Sequence, residues 1–389
     1  MRIAITNPTC WPYLRRGVER FINDLATYLT RRGHEVTIIT GKAGKTEVVM
    51  DRGIKIIYSR RLWHPWLMKL GVLEIYMFFF TALARLLRGR YDVVYSCTFM
   101  DGFAAQLTRY ITGTPYIFTC FAQPPKVQHY RSLTTRGAIF RGTILGADAF
   151  VSISEYVSDY FKERWAIKSL VQLLPIDTTR FQPLERPAGA LPTILCAAAL
   201  DDPRKGGRIL MRAFDRLKDK RPDLVLQIAW TLKPDLQDEL ISLVSPRWRS
   251  DVHFLGTNVD LPKLFASASV SVLPSLWESQ GLVVLESLAA GTPVVVTRDG
   301  ALPEIVTDLS VGRLFDPGSD TVYEPTNLDG LVQALDEALD LGLLPETAGN
   351  CRKYAEQFGW EQLGPRWEDL LRRVARKNDG AAVTVECRG

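Results

Sequence analysis

The sequence predicts an α/β protein of two consecutive units, each a parallel sheet with helices on both faces. Three observations carry this prediction. Short apolar runs alternate with helical periodicity along nearly all of the 389 residues, the alternation that builds parallel sheets covered on both sides. The pattern halts once, in the proline-rich stretch 175–192, PIDTTRFQPLERPAGALP, whose composition is that of an interdomain connection. It then restarts with the same architecture, in a chain too long for one ordinary core.

Taken in order, residues 2–6 read as a buried strand, 17–30 as an amphipathic helix and 35–40 as a second strand after the turn Arg32-Gly33-His34. This is a βαβ opening. Further strands are predicted at 54–58, 93–95, 116–119 and 149–153. Beyond the connection, 193–198 is a strand, 207–218 a helix, and 224–229 and 252–255 are strands. The chain ends in helical stretches at 328–340 and 360–374 and a frayed tail, 376–389, expected to make no packed core contacts.

Composition narrows the function classes. An apolar fraction of 47% with 23% charged residues excludes wholesale disorder. The net charge of +5 is modest, and no basic run is interleaved with aromatics, so nucleic acid is not an expected partner. The six cysteines, at 10, 97, 120, 196, 351 and 387, are scattered without metal-ligand spacing, and the N-terminus has no signal-peptide pattern. A cytoplasmic setting is expected. The most hydrophobic segment, 66–87, contains Lys69, Glu74 and Arg85, which leaves its uninterrupted apolar run too short to span a bilayer.

The stretch 270–296, VSVLPSLWESQGLVVLESLAAGTPVVV, reads as strand, tight loop, helix and strand. The strand ends at Leu273, Pro274 and Ser275 break it, and helical periodicity restarts at Gly281. In a parallel sheet such loops gather at the carboxyl edge, and a helix opening there presents free N–H groups and a positive dipole end. Ser279, Gln280, Gly281 and Leu282 therefore form a candidate anion cradle. Two carboxylates frame it, Glu278 and Glu286, with seven residues between them. Glu286 falls about 8 Å along the helix axis from Gly281, comparable with the span from a diphosphate to its ribose hydroxyls. The alternative is an acidic residue stabilising a helix start, with Glu286 solvated on the outer face.

These residues resemble glycosyltransferase family 4, retaining enzymes with the GT-B fold, in which two Rossmann-like domains with parallel sheets face each other across a cleft. The resemblance covers nearly the whole chain. It is strongest in PSLWESQGLVVLESLAAGTPVVVTRDGALPEIV, 274–306, and is supported by RRGHEVTIIT at 31–40, DTTRF at 177–181, DPRKGG at 202–207 and HFLG at 253–256. It implies an acceptor-side domain over 1–180, a donor-binding domain over 181–355, a C-terminal helix over 356–375 packing back on the first domain, and a flexible tail over 376–389.

The resemblance also implies a site. Glu286 would hold the ribose and Glu278 would lie beside the donor sugar hydroxyls, while Lys205 matches the lysine that contacts the donor diphosphate, with Arg204 beside it. An ammonium and backbone N–H groups would neutralise charge growing on the leaving phosphate, so no metal or other cofactor is required. The donor implied is a nucleotide-sugar, a UDP- or GDP-sugar first. Gly17 and Glu19 match part of a glycine-glycine-x-glutamate loop in which Arg16 stands in place of the first glycine. Ala199 and Leu200 occupy the region where the family usually has an arginine, and Cys120 and Phe121 stand where many members carry a histidine. The nearest later histidine is His129. Arg16, Cys120 and His129 are thus the acceptor-side candidates.

The segment 60–80, RRLWHPWLMKLGVLEIYMFFF, combines basic residues, tryptophans and an apolar run. It suits either an interfacial surface for a lipid-linked acceptor at the cytoplasmic face of a membrane or a buried helix. The function expected is transfer of a sugar to a hydroxyl of a glycan, glycolipid or small-molecule acceptor. The rival readings are a nucleotide-sugar-binding scaffold that has lost catalysis and another GT-B enzyme such as an epimerase.

Overall fold

A computed structural model describes residues 1–13, 17–42, 45–60, 73–121, 135–185, 189–319 and 323–376. Arg16, His129, the segment 61–72 and the tail from 377 lie outside the described residues. The chain forms two compact units: Met1–Pro175 together with the C-terminal segment from Leu363, and Ile176–Gln362.

The first unit is built on an eight-stranded sheet. Its strands are β1 (Arg2–Thr6), β2 (Glu35–Lys42), β3 (Glu47–Asp51), β4 (Ile54–Arg60), β5 (Val93–Ser96), β6 (Tyr116–Cys120), β7 (Ala149–Ser152) and β8 (Leu170–Val171). They lie in the order β3-β4-β2-β1-β5-β6-β7-β8. All pairs are parallel except β3 with β4, an antiparallel hairpin. Its turn residues Arg52 and Gly53 both have positive φ, at 47° and 83°, as a two-residue hairpin matched to strand twist requires. Sequence periodicity missed β3 because it is an edge strand with Val48 and Met50 exposed, so it lacks the apolar run that marks a central strand.

Helices pack this sheet by the expected stripes. In the helix Leu73–Arg88, Phe78, Ala82 and Leu86 recur at four-residue spacing and are all buried in the core cluster. Of the segment 60–80 that allowed two readings, the described side chains are those of Phe78, which is buried, Phe79, which is half-buried, and Phe80, which is exposed. No helix among the described residues is long and apolar enough to cross a membrane.

The last helix, Trp360–Arg376, packs in the first unit against residues outside that cluster. Trp367 is fully buried, donates its indole N–H to Leu173 O at 2.9 Å, and packs against the rings of Phe21 and Tyr95. The next residue, Glu368, is 4% exposed and accepts from His34 Nε2, Arg32 Nε and Arg372 Nε, each at 3.0 Å. Burial works against this carboxylate, but the hydrogen bonds from Arg372, His34 and Arg32 outweigh it and lower its pKa to about 2.

The second unit holds a six-stranded, wholly parallel sheet: β9 (Thr193–Cys196), β10 (Val225–Ile228), β11 (Val252–Phe254), β12 (Val270–Leu273), β13 (Val294–Thr297) and β14 (Gly312–Phe315). The order is β11-β10-β9-β12-β13-β14. Strand order reverses between β9 and β12, a switch point outside whose carboxyl ends ligands bind in open sheets of this kind. The connection is pinned beneath the sheet. Asp177 Oδ1 accepts from the backbone N–H groups of Thr179 and Arg180 at 3.0 and 3.1 Å, a local turn that explains the DTTRF pattern. Arg352 Nη1 donates to the carbonyls of Thr178 and Phe181, both at 2.7 Å, and to Ala289 O at 3.3 Å.

Because Glu368 titrates lower in the folded chain than its ordinary 4.5, its contribution is complete above pH 4.5 and lost as pH falls toward 2. Glu368→Gln is expected to cost about 1–3 kcal/mol at pH 7. It should also flatten the decline in stability between pH 4.5 and 2, as read by urea unfolding at a series of pH values.

Candidate functional site

The site is assembled from two loops that leave adjacent strands at the switch point. After β9, Asp202 accepts from Arg204 N at 3.1 Å and starts the short 3-10 turn Pro203–Lys205, with proline at the first position where its missing N–H costs nothing. The turn ends at Gly206, whose φ is +71°. A Cβ there would stand 2.4 Å from Pro274 O, so only glycine permits this approach. Leu276 N donates to Arg204 O at 2.8 Å across the same seam. The two loops are therefore joined backbone to backbone.

That seam brings two of the candidate side chains together. Lys205 Nζ and Glu278 Oε1 form a hydrogen-bonded ion pair, with side chains 21% and 16% exposed. The loop after β12 is itself clamped from behind: Trp277 N donates to Asp299 Oδ2 at 2.9 Å and Ala301 N donates to Glu278 O at 2.8 Å. At Gly300, φ +61°, a Cβ would come within 2.7 Å of both Glu278 N and Glu278 O. Trp277 is held at φ 57°, a conformation costly for a bulky residue and sustained by these contacts. Its ring meets Tyr323 edge to face at 5.4 Å and carries the Arg204 guanidinium 6.0 Å from its centroid.

The helix Leu282–Ala289 starts at Gly281, φ +79°. Its residues from Val284 on are buried, Glu286 among them at 3% exposed. A helix apolar on every side is a core helix, so the reading that puts Glu286 on a solvated outer face is corrected: this carboxylate lies inside, engaged with its neighbours. Gln280 is buried as well, whereas Ser279 and Leu282 are half-buried.

The structure thus brings Glu278, Lys205 and Arg204 together, with Ser279, Gln280, Gly281 and Leu282 in the same loop and helix start. The Arg204 guanidinium is bound to Asp202, with Nη2 to Oδ2 at 2.5 Å, and Leu200 is buried. Beneath the turn, burial pushes the Cys196 thiol up to about 12 against the nearby Lys205 ammonium, which keeps it protonated. Gly17 opens the helix Gly17–Arg31 of the first unit, and Glu19 is buried with Thr9 Oγ1 donating to it at 2.6 Å. Cys120 ends β6 inside the first unit's core cluster. Sequence reasoning missed Asp202, Asp299 and Gly300; the Asp299-Gly300 pair after β13 is a turn signal that could have found two of them. Among the described residues no group of three or more His, Cys, Asp or Glu side chains is placed to hold a metal ion.

Two Rossmann-like units on largely parallel sheets, with the candidate loops at a switch point of the second, have the GT-B fold, and comparison with known proteins makes the chain a glycosyltransferase. The chain belongs to glycosyltransferase family 4: residues 15–180 match the Glycosyltransferase Family 4 domain and residues 191–340 the Glycosyl transferases group 1 domain. Among relatives, it is 34% identical over 210 residues to the MMP alpha-(1->4)-mannosyltransferase of Mycolicibacterium hassiacum, covering 52% of this chain and 48% of that protein. The match therefore spans about half of that relative's length. It is 28% identical to the D-inositol 3-phosphate glycosyltransferase of Arthrobacter sp. (strain FB24), covering 70% of this chain and 68% of the relative. The Anabaena protein HepE, solved in complex with UDP and glucose, superposes with a TM-score of 0.69 at 18% identity, covering 96% of this chain and 100% of HepE.

The seam makes a direct prediction. Gly206→Ala should lower stability by about 1–3 kcal/mol through left-handed strain and the clash with Pro274 O. Gly349→Ala is the control: Gly349 lies inside the helix Thr347–Glu356, and a Cβ there meets nothing within 4 Å. It should be neutral or stabilising by up to about 1 kcal/mol. Parallel thermal melts compare the two.

Proposed function

We propose that this glycosyltransferase transfers a hexose from a nucleotide-sugar to an acceptor hydroxyl with retention of anomeric configuration. The Lys205–Glu278 ion pair at the switch point is the observation that carries the reading. It sets a cation for a diphosphate against a carboxylate that can accept hydrogen bonds from sugar hydroxyls. Lys205 and the free N–H groups opening at Leu282 stabilise the negative charge that grows on the leaving phosphate, an electrostatic contribution of several kcal/mol in a site partly screened from water. Glu286 sits further along the same helix and receives the ribose hydroxyls. In this reading the leaving phosphate accepts the acceptor's proton, and attack comes from the face that the leaving group vacates.

UDP- and GDP-sugars are the donors favoured. The UDP and glucose bound to HepE and the sugar-transfer names of the relatives support a nucleotide-sugar in general. The acceptor is a hydroxyl of a glycan, a glycolipid or a small polyol; for a lipid-linked acceptor the protein would work at the cytoplasmic face of a membrane.

A thermal-shift screen of UDP-, GDP- and ADP-sugars, followed by detection of released nucleotide with each hit, tests the proposal. Glu278→Gln is expected to reduce turnover by roughly 10²–10³-fold with the fold retained, and Glu286→Ala chiefly to weaken nucleotide binding. Full turnover in folded Glu278→Gln would sink the donor role.

A further inference from the structure

The cation of the candidate site already has a partner. Lys205 is hydrogen-bonded to Glu278, so a diphosphate arriving at Lys205 meets a carboxylate in its first layer of neighbours. Retreat of the carboxylate is limited to the turns of its own side chain. Its backbone is fixed by Ala301 N at 2.8 Å on Glu278 O, by Asp299 on the preceding N–H at 2.9 Å, and by the close approach of Gly300. Lys205 is fixed by the seam at Gly206.

We infer that Glu278 makes this site select against its own product, its charge repelling the terminal phosphate created when the sugar leaves and so hastening release of the nucleoside diphosphate. The inference rests on the diphosphate-sugar reading above and adds a role to it. In the transfer, the bond between the sugar's anomeric carbon and the terminal phosphate oxygen breaks, with the electron pair remaining on that oxygen. The acceptor oxygen bonds to the same carbon and its proton passes to the phosphate and then to solvent. The intact donor carries two negative charges on its diphosphate. The product carries about three at neutral pH, because the exposed phosphate monoester has its second pKa near 6.

Before transfer, the sugar hydroxyls lie between diphosphate and carboxylate and donate to Glu278, so the carboxylate is satisfied. Afterwards those donors are gone and an added negative charge faces it. At an effective dielectric of about 20, two like charges closer than about 12 Å repel by more than the energy of a tenfold change in affinity. Lys205 offsets part of this, but one of its three N–H donors is already committed to Glu278.

The test measures dissociation constants of UDP, GDP and ADP, and of the corresponding nucleotide-sugars, for the full chain and for Glu278→Gln and Glu278→Ala. Both variants should bind the preferred nucleoside diphosphate about tenfold or more tightly than the unaltered chain. Their affinity for the nucleotide-sugar should not rise in parallel, because the contact to its hydroxyls is lost, and product inhibition should deepen by the same factor. Unchanged or weaker diphosphate binding in both variants, with unaltered thermal melts, overturns the inference while leaving the donor site in place. Equal tightening toward diphosphate and nucleotide-sugar also overturns it, since that reports only a freed lysine. If the unaltered chain binds none of the three nucleoside diphosphates, the donor-site reading falls and takes this inference with it.

Discussion

A single backbone hydrogen bond, Leu276 N to Arg204 O, and the glycine beside it hold the loops of the candidate site in register. Parallel strands place their loops at one edge, but the edge alone does not fix which side chains meet there. Here the loop after β9 and the loop after β12 are fused where Gly206 lies under Pro274 O, with no side chain between them. Lys205 and Glu278 are the residues next to that seam, and their pairing follows from it. The loop after β13 then braces the second loop from behind through Asp299 and Gly300. Three successive strand ends thus contribute to one rigid turn cluster, the kind of support that functional groups need if their geometry is to survive thermal motion.

The second unit resolves an apparent conflict in the sequence. The helix Leu282–Ala289 is almost wholly apolar and buried, yet it carries Glu286 in its interior. An ionisable group in such a place is costly unless it is engaged. A solvated outer face is available only to a helix with a polar side, and this helix has none. The same logic applies to Leu200, which is buried and so cannot serve as a surface position for a cation. Arg204 is the cation nearest in sequence, and Asp202 has already claimed its guanidinium.

Much of this was legible in the residues. Central strands announced themselves because both faces of a parallel sheet are covered, so Ile3 to Ile5 and Val294 to Val296 are uninterrupted apolar runs. The two glutamates and the break at Pro274 and Ser275 were legible because a strand, a loop and a helix must change periodicity where they meet. The edge strand β3 and the half-buried β14 were not, since their side chains are partly solvated and follow no strict pattern. Nor was the seam at Gly206, which depends on a carbonyl 68 residues away in sequence (274 − 206). Strand ends drifted by one to two residues: the strand predicted over 193–198 stops at Cys196 because the chain turns at once toward the 3-10 turn. The supporting residues Asp202, Asp299 and Gly300 carry no chemistry of their own, which is why a search for reactive groups passes over them.

The C-terminal helix has a consequence for how the protein is made. Trp367 fills the space beside Phe21 and Tyr95, in a unit whose residues outside the C-terminal segment were all synthesised before Ile176. During translation the first unit must therefore wait through the whole of the second before its core can close. At roughly 5–20 residues per second that delay is on the order of ten to forty seconds. Throughout that interval an aromatic surface stays open on the nascent chain. A ribosome that terminates early, just after the second unit is complete, would release one finished unit attached to one that no local folding can seal.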